Sequence, residues 1–261
     1  MGLICIYQQI LLYLITSNAK NGGLFQLGDF LNLVIFDLDG TLIETAGEIG
    51  LAANRTLEDF ELGPVSDSDV RRWIGHGTGW LMKQAWLDKG QDPEADSTQW
   101  DRVMERFVHH YFETAGTQSY PYPHVMETLG RLGEMGVKRA VLTNKEGRFT
   151  DRVLAAHGLD KTLLDGVVSG DTLPVKKPNP AGIHHLLSQF NVEIQNALFV
   201  GDSETDIKTA RAAKLACWAV PYGYNHGRPV ADENPDRVVE DVRPVLDYFS
   251  APQTISRAQQ H

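Results

Sequence analysis

The sequence predicts an α/β protein with a doubly wound parallel, Rossmann-like sheet and an inserted α-helical domain, called the cap below. Short apolar runs recur along the 261 residues, and helical patterns separate the later runs. One long interval, between Thr45 and Tyr120, has helical patterns without a convincing strand. Repeated alternation of strands and helices favours a parallel sheet covered by helices. A chain of this length forms one or two compact units.

The predicted strands are short apolar segments of the kind that parallel sheets bury on both faces. The first, Leu33–Phe36, ends abruptly at a polar loop that begins with Asp37. Four later segments are also short and apolar, namely residues 140–142, 167–168, 197–200 and 216–220. These five runs are the predicted sheet.

The predicted helices show apolar residues at a spacing near 3.6, so each has one face for the core. In the cap, Gly63 and Pro64 separate two such patterns, and residues 120–123 (Tyr-Pro-Tyr-Pro) favour extended backbone on the return to the sheet. In the core, Gly136 is placed to end a helix. The apolar stripes are Ile49, Ala53, Leu57 and Phe60; Trp100, Val103, Phe107 and Tyr111; and Val125, Leu129, Leu132 and Met135.

These patterns also predict the domain boundaries. We expect a flexible leader over residues 1–31, an α/β core over 32–46 and 121–250, the cap over 47–120, and a flexible tail over 251–261.

Composition excludes several classes of protein. The 24 Lys and Arg against 34 Asp and Glu give a formal net charge of −10, so a nucleic-acid partner is not expected. The two cysteines, Cys5 and Cys217, lack metal-ligand spacing and favour a reducing cytoplasm. The apolar stretch from Leu3 to Ile15 is shorter than the roughly 20 residues of a spanning helix, so a membrane partner is not expected.

Polar residues follow the predicted strands at the edge where ligands bind in an open parallel sheet. Each segment has an ordinary structural explanation, because Asp, Ser and Thr often cap helices and loop lysines are usually solvated. The four segments are Asp37 with Asp39; Thr143, Asn144 and Lys145; Lys176 with Lys177 and Pro178; and residues 201–206 with Asp202 and Asp206.

In this order the segments resemble the haloacid dehalogenase superfamily. Its phosphatases have an Asp-x-Asp-Gly-Thr loop, a Thr or Ser after the second strand, a later Lys and a final acidic Gly-Asp loop. The resemblance covers the chain from Leu33 to about Phe249. It implies hydrolysis of a phosphate monoester with Mg²⁺, a cation that prefers hard oxygen ligands.

The resemblance also implies roles for individual residues. Asp37 would be the nucleophile and a metal ligand, while Asp39 would transfer protons and offer its backbone carbonyl to the metal. Lys177 would pair with Asp37 and the phosphate, and Thr143 would hydrogen-bond the phosphoryl group. Asp202 would be the third metal ligand. Asp206 would orient the metal ligands, with direct ligation left open.

Further segments resemble bacterial phosphoglycolate phosphatases, which implies 2-phosphoglycolate as the substrate. They are residues 72–77 (Arg-Trp-Ile-Gly-His-Gly), 143–145 (Thr-Asn-Lys) and 222–227 (Tyr-Gly-Tyr-Asn-His-Gly). Glu44 and His124 depart from that pattern, which has Asp and Gly at these positions. The substrate-binding residues expected from the resemblance are Gly75, His76, Gly77, Thr143 and Asn144; the alternative for the Gly75–Gly77 loop is a plain interhelical turn.

Other functions stay open at this point. Superfamily motifs specify phosphoryl chemistry and not the leaving group, so a sugar-phosphate or nucleotide phosphatase or a phosphomutase is an alternative. A catalytically inactive protein that binds phosphorylated metabolites is a different class. In each case the expected partner is a small phosphorylated metabolite, and the sequence does not distinguish a monomer from a homo-oligomer.

Overall fold

The core of the protein is a six-stranded parallel sheet. The computed structural model describes residues 32–250, and the predicted leader and tail lie outside the described residues. The strands of the sheet are β1 Leu33–Phe36, β4 Lys138–Leu142, β5 Gly166–Val168, β6 Ala197–Gly201, β7 Cys217–Ala219 and β8 Arg237–Val238. They lie in the order β5-β4-β1-β6-β7-β8, which confirms the predicted doubly wound α/β fold.

The first strand is central, and the chain crosses from one side of it to the other. In the register, Phe36 lies opposite Val141 of β4 on one side and Val200 of β6 on the other. The direction of winding therefore reverses at β1, which is where open parallel sheets form their ligand crevice.

Helices cover both faces of this sheet. Successive residues of β1 point to opposite faces, so Val34 and Phe36 belong to one buried cluster and Leu33 and Ile35 to the other. The core helices are α5 Val125–Glu134, α6 Gly147–Ala156, α7 Ala181–Phe190, α8 Glu204–Ala213 and α9 Pro244–Ser250.

Four helices lie between the first and later sheet strands and form the predicted cap. They are α1 Ala46–Asp59, α2 Asp67–Trp73, α3 Thr78–Asp88 and α4 Ser97–Thr114. The predicted stripes of α1 and α4 are mostly buried, as at Leu57 and Phe107. Trp100 is only partly buried, and Phe60 follows the last residue of α1.

Met135 is not part of the apolar stripe of α5, contrary to the prediction. The helix ends at Glu134, and Met135 at its C-terminal boundary is 39% exposed. Gly136 follows with φ +77°, the left-handed turn that ends many helices. At the other end, His124 has φ +67°, a conformation that glycine adopts more readily.

The two connections between core and cap form a small antiparallel pair. Ile43–Glu44 is β2, Tyr120–Pro121 is β3, and Glu44 lies opposite Tyr120. Extended backbone at residues 120–123 was predicted, but its partner strand was not. Strand β8 was not predicted either, because both of its residues are exposed at the sheet edge and show no apolar pattern in the sequence.

Within residues 32–250, no helix is both long enough and apolar enough to cross a lipid bilayer.

Candidate active site

The predicted site residues meet where strands β1, β4 and β6 end. Asp37 follows β1, Thr143 follows β4 and Asp202 follows β6, while Lys177 lies in the loop before α7. All four are buried. A cleft between this edge and the cap is lined by Asp37, Asp39, Thr143, Asn144, Lys145, Lys177 and, from the cap, Ile49, Ile74, Gly75, Gly77, Thr78 and Leu81.

The Lys177 ammonium lies between two carboxylates. Its Nζ is 2.7 Å from Asp37 Oδ1 and 2.7 Å from Asp206 Oδ1. Burial lowers the pKa of Lys177, but Asp206 and Asp37 outweigh burial and raise this pKa above its ordinary value. Lys177 therefore carries a positive charge beside Asp37.

Asp206 uses both of its carboxylate oxygens within the protein. Oδ1 accepts a hydrogen bond from Lys177, and Oδ2 accepts from the Ser203 hydroxyl at 2.7 Å and from the backbone N–H groups of Ser203 and Asp202 at 3.1 and 3.2 Å. These bonds satisfy the first turn of α8, as in a capping box. Asp206 is fully buried and links that helix to Lys177.

Asp202 is held by the loop that follows β1 and by the loop that follows β7. The Thr41 hydroxyl donates to Asp202 Oδ1 at 3.0 Å, and the Tyr224 backbone N–H donates to Oδ2. A Cβ atom on Gly40 or Gly223 would overlap this carboxylate. The two glycines therefore allow both loops to approach Asp202 closely.

Three buried carboxylates have a composition and arrangement suited to a hard divalent cation. Asp37, Asp202 and Asp206 each offer an oxygen, and these oxygens lie within 4.8 Å of one another. Burial raises the pKa of Asp37 to about 7, although Lys177 opposes this effect, and burial also raises the pKa of Asp202. Asp37 Oδ1 lies 2.7 Å from Lys177 Nζ but accepts no well-formed hydrogen bond from the described residues. Three buried carboxylates around one buried ammonium leave an excess of negative charge, which fits a Mg²⁺ site.

Asp39 is partnered by a lysine to which the sequence analysis gave no role. Asp39 Oδ1 accepts a hydrogen bond from the Thr45 hydroxyl at 2.7 Å and lies 2.8 Å from Lys145 Nζ. Lys145 is buried and also donates to the Tyr111 hydroxyl of the cap. The sequence could have indicated a role for Lys145 only through its position, two residues after Thr143 and close to the end of β4.

The Gly75–Gly77 loop of the cap rests on the core. The Asn144 side-chain amide donates to the Gly75 carbonyl at 3.0 Å and to the Lys177 carbonyl at 3.1 Å. Gly75 and Gly77 have φ of +116° and +93°, which favours glycine at both positions. The cap is therefore in contact with the edge that carries the carboxylates.

The remaining predicted residues differ in their relation to the cleft, because Thr143 lines it and His76 does not. His76 is absent from the described residues that line it; its ring stacks on His226 at 4.9 Å, and its carbonyl accepts from Lys176 at 3.1 Å. The Thr143 hydroxyl accepts from the Lys145 backbone N–H at 3.1 Å and lies in the cleft lining. Lys176 is exposed, unlike its neighbour Lys177.

Glu44 is a buried residue of β2, in one of the two connections between core and cap, and no role was predicted for it from the sequence. It accepts hydrogen bonds from Tyr224 at 2.6 Å, Tyr122 at 2.7 Å and Arg71 of the cap at 3.0 Å. Burial alone would raise the pKa of Glu44, but these hydrogen bonds hold the pKa below its ordinary value. The departure from the expected Asp was the only sign in the sequence.

The fold is that of a haloacid dehalogenase-like hydrolase. Residues 34–220 match the model of that family, and the chain belongs to it. Its relatives include phosphoglycolate phosphatases, which are phosphoric monoester hydrolases. The enzyme from Pseudomonas syringae pv. tomato is 36% identical over 219 residues, covering 84% of this chain and 80% of the relative. The enzyme from Haemophilus influenzae is 39% identical over 216 residues, covering 82% and 96%.

Solved structures agree with this family. The crystal structure of a predicted phosphoglycolate phosphatase from Haemophilus somnus superposes with a TM-score of 0.78 at 32% identity, covering 84% of this chain and 97% of the other. A putative phosphoglycolate phosphatase from Lactobacillus delbrueckii subsp. bulgaricus has a TM-score of 0.75 at 22% identity, covering 84% and 98%. At that identity the second likeness shows the fold alone.

Proposed function

We propose that this protein is a Mg²⁺-dependent phosphatase that hydrolyses 2-phosphoglycolate to glycolate and phosphate through an aspartyl-phosphate at Asp37. The observation that carries the proposal is the group formed by Asp37, Lys177 and Asp202 beside Asp39. It combines a buried carboxylate nucleophile, a cation for the phosphate and acidic groups for a metal at the end of the central strand. The relatives named phosphoglycolate phosphatases support the choice of substrate.

Mg²⁺ would be held by the carboxylates of Asp37 and Asp202 and by the backbone carbonyl of Asp39. When bound, it offsets the negative charge of the phosphoryl oxygens that face these carboxylates. Asp206 supports the ion indirectly in this proposal, because its oxygens already bind Lys177, Ser203 and the backbone of Asp202.

In the first half of the reaction, an Asp37 carboxylate oxygen attacks the phosphorus and the ester P–O bond breaks. Asp39 donates its proton to the departing glycolate oxygen, and the phosphoryl group remains on Asp37. Lys177 and the Thr143 hydroxyl stabilise the charge on the phosphoryl oxygens during this step.

In the second half, water attacks the phosphorus of the aspartyl-phosphate. Asp39, now a carboxylate, accepts the proton of that water, and the P–O bond to Asp37 breaks. Phosphate leaves and both aspartates return to their starting states. The same acid-base residue thus serves both steps.

Substrate recognition is assigned to the cap edge of the cleft. Gly75, Gly77 and Asn144 bring backbone and amide groups next to the catalytic edge, and His76 contributes its backbone as part of the same loop. Glycolate has little apolar surface, so polar contacts and a close fit must select it. The chain's two cysteines also support a cytoplasmic location for this reaction.

A substrate panel tests this proposal. Phosphate release by the full-length protein is measured with 2-phosphoglycolate, glucose 6-phosphate, a nucleoside monophosphate and an aryl phosphate, each with Mg²⁺ and with EDTA. We expect Mg²⁺-dependent turnover with the highest kcat/KM for 2-phosphoglycolate, and none by the Asp37→Asn variant. No turnover of any ester would favour a binding protein, and a higher kcat/KM for another ester would overturn the assigned substrate.

A further inference from the structure

Lys145 is a buried cation at the boundary between core and cap. Its side chain is only 2% exposed, and its Nζ lies 2.8 Å from Asp39 Oδ1. It also donates to the Tyr111 hydroxyl and lies over the Tyr111 ring, with Nζ 4.9 Å from the ring centroid. Burying an ammonium group is unfavourable unless it is paired, so this position requires an explanation.

The contacts of Lys145 leave part of its hydrogen-bonding capacity available to the cleft. An ammonium group has three N–H donors. Among residues 32–250, its side chain has two polar partners, Asp39 and Tyr111. Lys145 also lines the cleft, together with Gly75 and Gly77 of the cap loop.

In the proposed reaction, the two lysines that line the cleft would lie at different ends of the ester. Lys177 is 2.7 Å from Asp37, so it serves the phosphate end. In the proposed reaction Asp39 must reach the ester oxygen, and atoms beyond that oxygen belong to the leaving group. Because Lys145 is 2.8 Å from Asp39, its charge lies beside the leaving group.

We propose that Lys145 binds the carboxylate of the leaving group and thereby selects phosphate monoesters of small hydroxy acids. The inference rests on the proposed function, since it takes Asp37 as the site of phosphoryl transfer. A carboxylate that enters this cleft exchanges water for a charged donor already in place, which compensates its desolvation. A neutral leaving group lacks that charge and gains less from Lys145.

The competing explanation is that Lys145 only positions Asp39 and joins the cap to the core through Tyr111. Both explanations predict a less active enzyme without Lys145. They differ in whether the loss depends on a carboxylate in the substrate. The test therefore compares 2-phosphoglycolate with 2-hydroxyethyl phosphate, a two-carbon ester with a hydroxyl group in place of the carboxylate.

The experiment measures kcat/KM for both esters with wild type, Lys145→Met and Lys145→Arg in Mg²⁺. We expect Lys145→Met to lower the preference for 2-phosphoglycolate over 2-hydroxyethyl phosphate by about 10- to 100-fold, the range for a lost hydrogen bond to a charged group. Lys145→Arg, which keeps the cation, should retain more of that preference. Lys176→Met is the matched control, because it removes an exposed positive charge near the same cap loop.

Equal losses for the two esters in Lys145→Met would overturn this inference, while wild-type turnover would leave the proposed function standing. Binding of both esters to Asp37→Asn and to Asp37→Asn/Lys145→Met, measured by calorimetry, provides an independent readout. A preference for 2-phosphoglycolate that disappears with Lys145 supports the inference. A wild-type protein that releases no phosphate refutes the proposed function, and the calorimetric comparison then still decides the role of Lys145.

Discussion

Lys177 Nζ lies 2.7 Å from Asp206 Oδ1, so the ammonium that faces Asp37 is anchored to the first turn of α8. The other oxygen of Asp206 accepts hydrogen bonds from Ser203 and from the Asp202 backbone. The Asp206 carboxylate therefore sets the position of the Lys177 ammonium and of the segment that carries Asp202. Substitutions can measure its effect on the rate and its effect on the Mg²⁺ requirement separately.

Asp206→Asn should lower kcat about 10- to 100-fold, as loss of a group that orients metal-site residues does. The Mg²⁺ concentration for half-maximal activity should rise less than in a variant that loses a direct ligand, because Asp206 acts on the metal site through Lys177 and the Asp202 backbone. Asp202→Asn is the comparison and should raise that concentration at least about tenfold, because it removes a proposed direct ligand. Mg²⁺ titrations of phosphate release measure both values. An equal rise in the two variants would make Asp206 a direct ligand.

Lys177→Met should lower kcat about 100- to 1,000-fold even at saturating Mg²⁺, because it removes a charge placed for the transferring phosphoryl group. Lys176→Met is the neighbouring control, since Lys176 is exposed and contacts only the His76 carbonyl among the described polar groups. Its kcat should remain within a few-fold of wild type, as for an exposed surface charge. Steady-state kinetics compare the two variants, and thermal unfolding checks that both are folded. Similar losses in both variants would argue against the assigned phosphate contact.

Glu44→Gln should lower the free energy of unfolding at pH 7 by about 1–3 kcal/mol, because hydrogen bonds from Arg71, Tyr122 and Tyr224 favour the buried carboxylate. The pKa of Glu44 is lower in the folded protein than its ordinary value of 4.5. Its stabilising contribution is therefore present above pH 4.5 and is lost as the pH falls through the folded-state pKa. Denaturant unfolding at several pH values measures the difference.

The difference between wild type and Glu44→Gln should thus shrink on acidification. Glu58→Gln, at an exposed position of α1, is the control and should have a small effect at each pH. A difference that stays constant from pH 7 to below pH 4 would show that the charge of Glu44 does not stabilise the folded protein.

Gly77→Val should obstruct the contact between cap loop and core. Gly77 has φ +93°, and a Cβ there would lie 3.0 Å from Lys176 Nζ and 3.4 Å from the Asn144 carbonyl oxygen. We expect kcat/KM to fall about tenfold more for 2-phosphoglycolate than for an aryl phosphate that needs no carboxylate contact. Gly79→Ala, within α3 and with only Met104 nearby at 3.9 Å, is the control. Equal losses for the two substrates in folded Gly77→Val would identify the loop as a structural turn.

Apolar periodicity predicted five strands of the sheet and the helical cap, and the polar residues at the strand ends predicted the candidate site through their resemblance to a known family. Leu33–Phe36 is a clear example, because a strand buried on both faces must be apolar at each position. Asp37, which follows it directly, is placed at the sheet edge by chain connectivity alone. Elements without such a local signal were missed: β8 has two exposed residues, and β2 pairs with a strand distant in sequence.

The sequence by itself determined which chemical groups stand at the ends of the strands, since that order is a property of the chain. Only the tertiary structure decided which groups are partners: Lys145 with Asp39 and Tyr111, Glu44 with Arg71 and Tyr224, and the His76 ring with His226. All of these contacts link residues that are distant in sequence, and three of them, Lys145 with Tyr111, Glu44 with Arg71 and His76 with His226, join the cap to the core. They depend on how helices and sheet pack, and short-range periodicity carries no information about that packing.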